Sequence, residues 1–394
     1  MSKKARLDVV SEEGAEEDGG SLNLAPPSAP PLPDMDQATA RQLFETGAFF
    51  VFLDFPEGSE FGIDYQSWRV GEKFRGLKMI PPGIHFIYFS INDVKHKSVV
   101  PRIGFFHNFQ SQEVLVRRWS PTDEDVLAEE YDGQSLQQLD PFLGAYPYQG
   151  LRTWFSLSDC LRPELLARLV PESGRISAQC ALTTLEHTAL HGAPSRVDRE
   201  HPQRLRYRDA EGLPIMRVSE GHQLRFRAIP PVARKSGELG RDLSVHWMDR
   251  SEQLEKMLGG AEGETDFLGE LQFAFLTLLL GQVYSAFEHW KEMLAVVCAS
   301  EAAVEKRAGF FQRLLDVLYY QLRECPADLF VDIVSKDNFL TKHLGSLFAN
   351  LGDAGDVDAG LKSKAAKFRA YLSAKFSWDF QLEEDAPQIV QISC

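Results

Sequence analysis

Residues 58–86 read GSEFGIDYQSWRVGEKFRGLKMIPPGIHF, and the fold class turns on this run. Gly58, Gly62, Gly71, Gly76 and Gly83 recur at turn-like spacing, where positive φ or a close backbone approach calls for a residue without a side chain. Phe61, Tyr65, Trp68, Phe74 and Phe86 are large rigid groups that either fill a small β core or present a recognition surface. The run therefore reads as short extended pieces joined by turns. It holds no nucleophile beside a base, so it points to binding rather than catalysis.

The flanking segments extend the same pattern. A short helix over about 35–45 precedes FFVFLDF (49–55), a fully apolar strand signature. IHFIYFS (84–90), RIGFFHNF (102–109) and EVLVRRWS (113–120) have strand lengths and are bounded by Gly, Pro, Asn or Ser. Gln110–Ser111–Gln112 reads as a hairpin turn joining the last two. Short strands without long intervening helices predict a small β-sandwich or barrel over 36–155.

Beyond that domain, 156–235 reads as a connector that could add strands to it, near 177–185, at 215–218 and at 224–229. LRTWFSLSDCL (151–161) is helix-like. From Pro231 the signal is helical. Leu361, Ala365, Phe368, Leu372 and Phe376 form one stripe, with Lys362, Lys364, Lys367, Arg369 and Lys375 on the other sides. Residues 267–297 predict two helices meeting near Gly281, with Phe275, Leu278 and Leu279 inward. FFQRLLDVLYYQLREC (310–325) predicts another, stopped by Pro326, and Asp337 is an N-cap for a helix starting at Asn338 or Phe339. The expected architecture is α+β and multidomain: an acidic, Pro-rich disordered tail (1–35), the β domain, the connector, an all-α domain (236–380) and a flexible tail (381–394).

The chain has 394 residues and a formal net charge of -15, which disfavours a protein that coats nucleic acid. That average hides two blocks. Residues 69–118 carry nine Lys and Arg against three acids, and 121–140 carry seven acids and no base. They read first as two solvated surfaces, with an internal pair or a polarised docking face as the alternatives. The five cysteines, Cys160, Cys180, Cys298, Cys325 and Cys394, are scattered without a C-x-x-C, as suits a reducing compartment. Neither a secretory signal nor a membrane span is expected.

Chemistry is sparse. Gly71–Lys78 resembles a phosphate loop, but Leu77 separates the last Gly from Lys78 and Met79 follows it. His187 and His191 have ligand spacing, but Thr188 stands where a zinc protease needs Glu. No catalytic residue, cofactor or metal is expected. Arg204, Arg206, Arg208, Arg217, Arg225 and Arg227 offer an alternative reading in which the 196–227 segment binds RNA, diluted by Asp198, Glu200, Asp209 and Glu211.

EFGIDYQSWRVGEKFRGLKMIPPGIHF (60–86), LDPFLGAYPY (139–148), LGELQFAFLTLLLGQVYSAFEHWK (268–291), PADLFVDIVSKDNFL (326–340) and KFSWDF (375–380) resemble, in that order, the AAR-two family of splicing factors, which assemble the U-five snRNP. The resemblance implies a β-sandwich-like N-terminal domain and a VHS-like helical domain. It implies a non-enzymatic, chaperone-like factor that binds the RNase H-like and Jab/MPN domains of the Prp-eight scaffold, alongside other U-five snRNP proteins, and blocks premature Brr-two helicase or RNA engagement. It also implies residence in cytoplasm and nucleus, with no membrane association and no sequence-specific nucleic-acid contact. Trp68, Phe74, Arg75 and Lys78 are the candidate partner-binding residues of the β domain. Ile389, Val390 and Ile392, in the last segment QLEEDAPQIVQISC (381–394), are a candidate strand that pairs with a partner's sheet.

Overall fold

A computed structural model describes residues 37–93, 98–99, 101–122, 125–130, 136–177, 182–184, 216–218, 221–232, 249–260, 262–326, 339–355 and 357–380. They divide into two compact units. The first holds the described residues up to Arg227 together with Phe273–Phe287, and the second holds Ala228–Gln272 and those from Glu288 on.

The first unit opens with α1 (Gln37–Thr46) and β1 (Ala48–Leu53). It continues through β2 (Glu60–Ile63), β3 (Gln66–Arg69), β4 (Gly76–Ile80), β5 (Gly83–Ser90) and the small ribbon β6 (Asn92–Asp93) and β7 (Ser98–Val99). Next come β8 (Ile103–Phe109), β9 (Val114–Ser120), β10 (Asp125–Glu129), α2 (Leu136–Leu139), β11 (Gly144–Ala145), α3 (Leu151–Ser158), α4 (Pro163–Leu169) and β12 (Ile176–Ser177). β13 (Leu182–Thr184) and β14 (Met216–Val218) form a second ribbon. Two five-stranded sheets result, in the orders β10-β9-β1-β4-β11 and β12-β8-β5-β2-β3. Phenylalanines from both sheets make one core: Phe50 of β1 stacks on Phe61 of β2 at 5.8 Å, and Phe52 meets Phe89 of β5 edge-on at 5.5 Å. β1 reads as unbroken apolar sequence because it is covered on two faces. The phenylalanines cover one, and Val51 packs with Val116 and Leu143 on the other.

The expected hairpin at Gln110–Gln112 is corrected. β8 pairs with β5 and β12, whereas β9 pairs with β1 in parallel and with β10, so the turn carries the chain from one sheet to the other. Gln112 adopts φ 60, and its N–H donates to Thr46 O, which steers the chain into register beside β1. The expected strand at 224–229 is also absent. Arg225 instead donates its backbone N–H to Leu169 O and its guanidinium to Ala167 O and Val170 O, capping the carbonyl end of α4.

The second unit is helical. Its elements are α5 (Ser251–Met257), the first part of α6 (Gly263–Leu279), most of α7 (Tyr284–Cys298), α8 (Glu301–Lys306), α9 (Ala308–Glu324), α10 (Phe339–Asp353) and α11 (Ala359–Phe376). α10 begins where the sequence indicates, although Asp337 lies outside the described residues. Buried Trp290 donates to Gln321 Oε1, and Gln321 donates to Leu271 O, linking α7, α9 and α6. Two lysines of α11 are committed internally: Lys364 pairs with Asp316 at 2.6 Å, and Lys375 caps α9 through the carbonyls of Leu322, Arg323 and Cys325.

Leu361, Ala365, Phe368 and Leu372 are buried as the stripe requires, while Phe376 is half-buried and stacks on Trp378. Leu372→Ala is expected to cost about 2–5 kcal/mol, read as a lower denaturation midpoint. The expectation for α6 holds for Phe275 alone, since Leu278 and Leu279 are half-exposed. From Leu271 on the helix is mostly apolar, so periodicity singles out no face there, and Phe273, Leu276 and, just past its end, Leu280 are buried.

Candidate protein-interaction site

Two of the sequence blocks meet along β4. β11 runs parallel to it, with Gly144 opposite Leu77 and Ala145 opposite Lys78, so LDPFLGAYPY lies beside RGLKMI. Arg75 N–H donates to Phe142 O, and Tyr146 N–H donates to Lys78 O. Lys78 reaches across to Asp140, with its ammonium 2.9 Å from both carboxylate oxygens and 3.2 Å from the backbone carbonyl. β4 carries a bulge there, since Ala48 pairs with Ile80 and Phe50 with Leu77, and Met79 adopts φ 62. Lys78 thus anchors the loop and is no phosphate-loop lysine.

The candidate residues are placed as follows. Trp68 is half-buried on β3, the outer strand of its sheet. Arg75 is half-buried and donates to Glu72 O and Phe74 O. Phe74 is buried, 5.0 Å from the Phe61 ring and 6.3 Å from Phe55, so it supports the surface from beneath. Ile389, Val390 and Ile392 lie outside the described residues, as do His187, His191 and the 196–208 arginines. Phe142, which sequence reasoning passed over, is 40% exposed where the Arg75 backbone meets it. A Pro and an Asp beside it gave it the look of a turn, and only its placement reveals an apolar group facing outward.

Two ion pairs join the charge blocks, Lys78 with Asp140 and Arg118 with Glu129, while Arg69, Lys73 and Glu130 are exposed. Arg118 also holds Asp54, and Arg175 holds Asp125. These contacts are at least partly solvated and each adds little stability, but together they fix the orientation of β9, β10 and the 140–145 segment.

A buried polar cluster lies in the same unit. Asp64 Oδ2 accepts from His85 Nδ1 at 2.7 Å and from the Tyr146 hydroxyl at 2.6 Å, while Oδ1 accepts from Phe86 N–H at 3.0 Å. Burial, then the adjacent Asp64 carboxylate, hold the Tyr146 hydroxyl well above the ordinary phenol range. A His–Asp pair is the core of many acid–base sites, but here His85 Nε2 faces Pro81 O at 2.8 Å in place of a serine or cysteine. The cluster joins the β2–β3 turn, β5 and the segment after β11. Beside it the Trp154 indole donates to Ile84 O.

Elsewhere in the unit, Arg102 pairs with Glu60, lies over the Tyr88 ring at 5.0 Å and donates to Leu280 O. Burial pushes the Tyr88 hydroxyl up to about 12. Among the described residues no group of three or more His, Cys, Asp or Glu could hold a metal, and no helix is long and apolar enough to cross a membrane.

A two-sheet aromatic unit and a helical unit, without a metal-ligand group among the described residues, define an α+β protein. Family models agree along the chain: the AAR2 N-terminal domain matches residues 46–171, and the AAR2 C-terminal repeat region matches 226–381. The human Protein AAR2 homolog is 42% identical over 91% of this chain and 97% of its own length. The Caenorhabditis elegans Protein AAR2 homolog is 41% identical over 86% and 97%. A1 cistron-splicing factor AAR2 of Saccharomyces cerevisiae is 24% identical over 70% and 76%. The chain belongs to the AAR2 family.

Proposed function

We propose that this chain is a non-enzymatic assembly factor for the U-five snRNP in pre-mRNA splicing. The observation that carries the reading is the match to the AAR2 family through both units, with relatives that include a yeast splicing factor. On this reading the chain binds the RNase H-like and Jab/MPN domains of the Prp-eight scaffold in the cytoplasm and nucleus. By occupying them it keeps the Brr-two helicase and RNA from engaging early. The helical unit is VHS-like. Trp68, Arg75 and the neighbouring Phe142 supply contacts from the first unit, with Phe74 and Lys78 holding that surface in shape. The Ile389, Val390 and Ile392 strand adds to the partner's sheet. The Asp64–His85 pair supports a non-catalytic role, because its outer ring nitrogen is occupied by a backbone carbonyl.

The test is affinity capture on the full chain from cell lysate, followed by binding to the two purified scaffold domains together. Recovery of the scaffold supports the reading; recovery of RNA without it would overturn the reading in favour of the 196–227 arginines. Trp68→Ala and Arg75→Ala should each weaken scaffold binding by about tenfold, as should truncation after Asp385. An unchanged affinity in the truncated chain would place recognition wholly in the folded units.

A further inference from the structure

β10 ends its sheet. It pairs with β9 from Asp125 opposite Ser120 to Glu129 opposite Val116, and among the described residues no strand lies on its other side. A strand so placed presents a row of backbone N–H and C=O groups along its outer edge. The side chains from Leu127 to Glu130, just past its end, are exposed, and Leu127, 45% exposed, is a large apolar group beside Glu129 and Glu130. Ion pairs hold the strand in place toward both ends, Asp125 with Arg175 and Glu129 with Arg118. The edge is therefore fixed before anything meets it, and little ordering entropy opposes pairing.

Charge decides what can pair. Residues 121–140 contain seven acids and no base. Two copies of this edge would set like charges against each other, which disfavours self-association. An extended basic segment meets the opposite situation, in which backbone hydrogen bonds, Lys or Arg facing the exposed Glu130, and an apolar residue beside Leu127 all favour addition. We propose that β10 is a docking edge for an extended, lysine- or arginine-rich segment of a partner protein, added as the next strand of the sheet. This surface is separate from Trp68, Arg75 and Phe142, and the proposal does not depend on the splicing reading.

The test uses the full chain and a fluorescent eight-residue peptide of alternating lysine and valine, read by anisotropy. Saturable binding that weakens with salt is expected. A peptide with a central valine replaced by proline, which cannot donate to a ladder, should bind at least about fivefold more weakly, as should the native-like variants Leu127→Lys and Glu130→Lys. A peptide of alternating glutamate and valine should not bind. If the proline peptide binds as well as the parent, or if the variants leave affinity unchanged, the attraction is only diffuse charge and the proposal falls. Concentration-dependent dimerisation abolished by Leu127→Lys would overturn it too, by showing that the edge serves a second copy of the chain.

Discussion

Asp64→Ala is expected to destabilise the first unit by about 3–5 kcal/mol, because it strands a buried histidine and a buried tyrosine hydroxyl at once. Asp64 also sits at φ 53 in the two-residue turn between β2 and β3, a left-handed position that Asp tolerates better than Ala does. Its own N–H donates to Phe86 O while its carboxylate accepts from Phe86 N–H, so the side chain completes the ladder of β2 against β5. Asp64→Asn keeps the turn preference and one acceptor for Phe86 but loses the charge facing His85 and Tyr146, and it should fall between the parent and the alanine variant. The measurement is denaturant unfolding of all three chains, supported by hydrogen exchange of the β2 and β5 amides. A loss below about 1 kcal/mol for Asp64→Ala would mean that water readily replaces the carboxylate, and the cluster would not be the lock described.

Gly76→Ala should cost about 3 kcal/mol or more, and its neighbours explain why. Gly76 has φ 126, and a Cβ there would lie 1.9 Å from Phe50 O and 3.0 Å from Val51 Cα, inside the β1–β4 pairing. Gly83 has a similar φ of 134 but nothing within 4 Å of a Cβ, so Gly83→Ala carries backbone strain alone, about 1–3 kcal/mol. At Gly71 φ is not positive and the space is open, so Ala should be neutral or slightly stabilising there. The ordering Gly76, Gly83, Gly71 separates clash from strain within one segment. Equal losses at Gly76 and Gly83 would show that β1 can move aside. Because Gly76 follows Arg75, its replacement should also abolish whatever binding the Arg75–Phe142 surface supports.

Much of the architecture is legible in the chain as written. The apolar runs 49–55, 84–90, 102–109 and 113–120 mark strands β1, β5, β8 and β9, and glycines at 76 and 83 mark backbone that only glycine takes easily. The four-three-four spacing from Leu361 marks α11, and Pro326 follows the end of α9. Each of these is a local property, set by side-chain period or by the φ a residue allows, so a window of ten to twenty residues contains the signal.

What the sequence withheld depends on partners far along the chain. Asp64 meets His85 across 21 residues and Tyr146 across 82, and nothing in the spacing of an Asp, a His and a Tyr announces that three separate segments will bury them together. Phe74 and Phe142 are both aromatic residues in turn-rich sequence, yet one is buried against Phe61 and the other stands 40% exposed. The turn at 110–112 reads as a hairpin until the pairing of β9 with β1 assigns its strands to different sheets. The basic and acidic blocks read as two surfaces until Lys78 and Arg118 are found on Asp140 and Glu129. Local pattern determined which segments are strands and helices. Sheet order, the side each aromatic faces and the fate of each charge were decided only by tertiary packing, because they depend on which distant backbone closes against which.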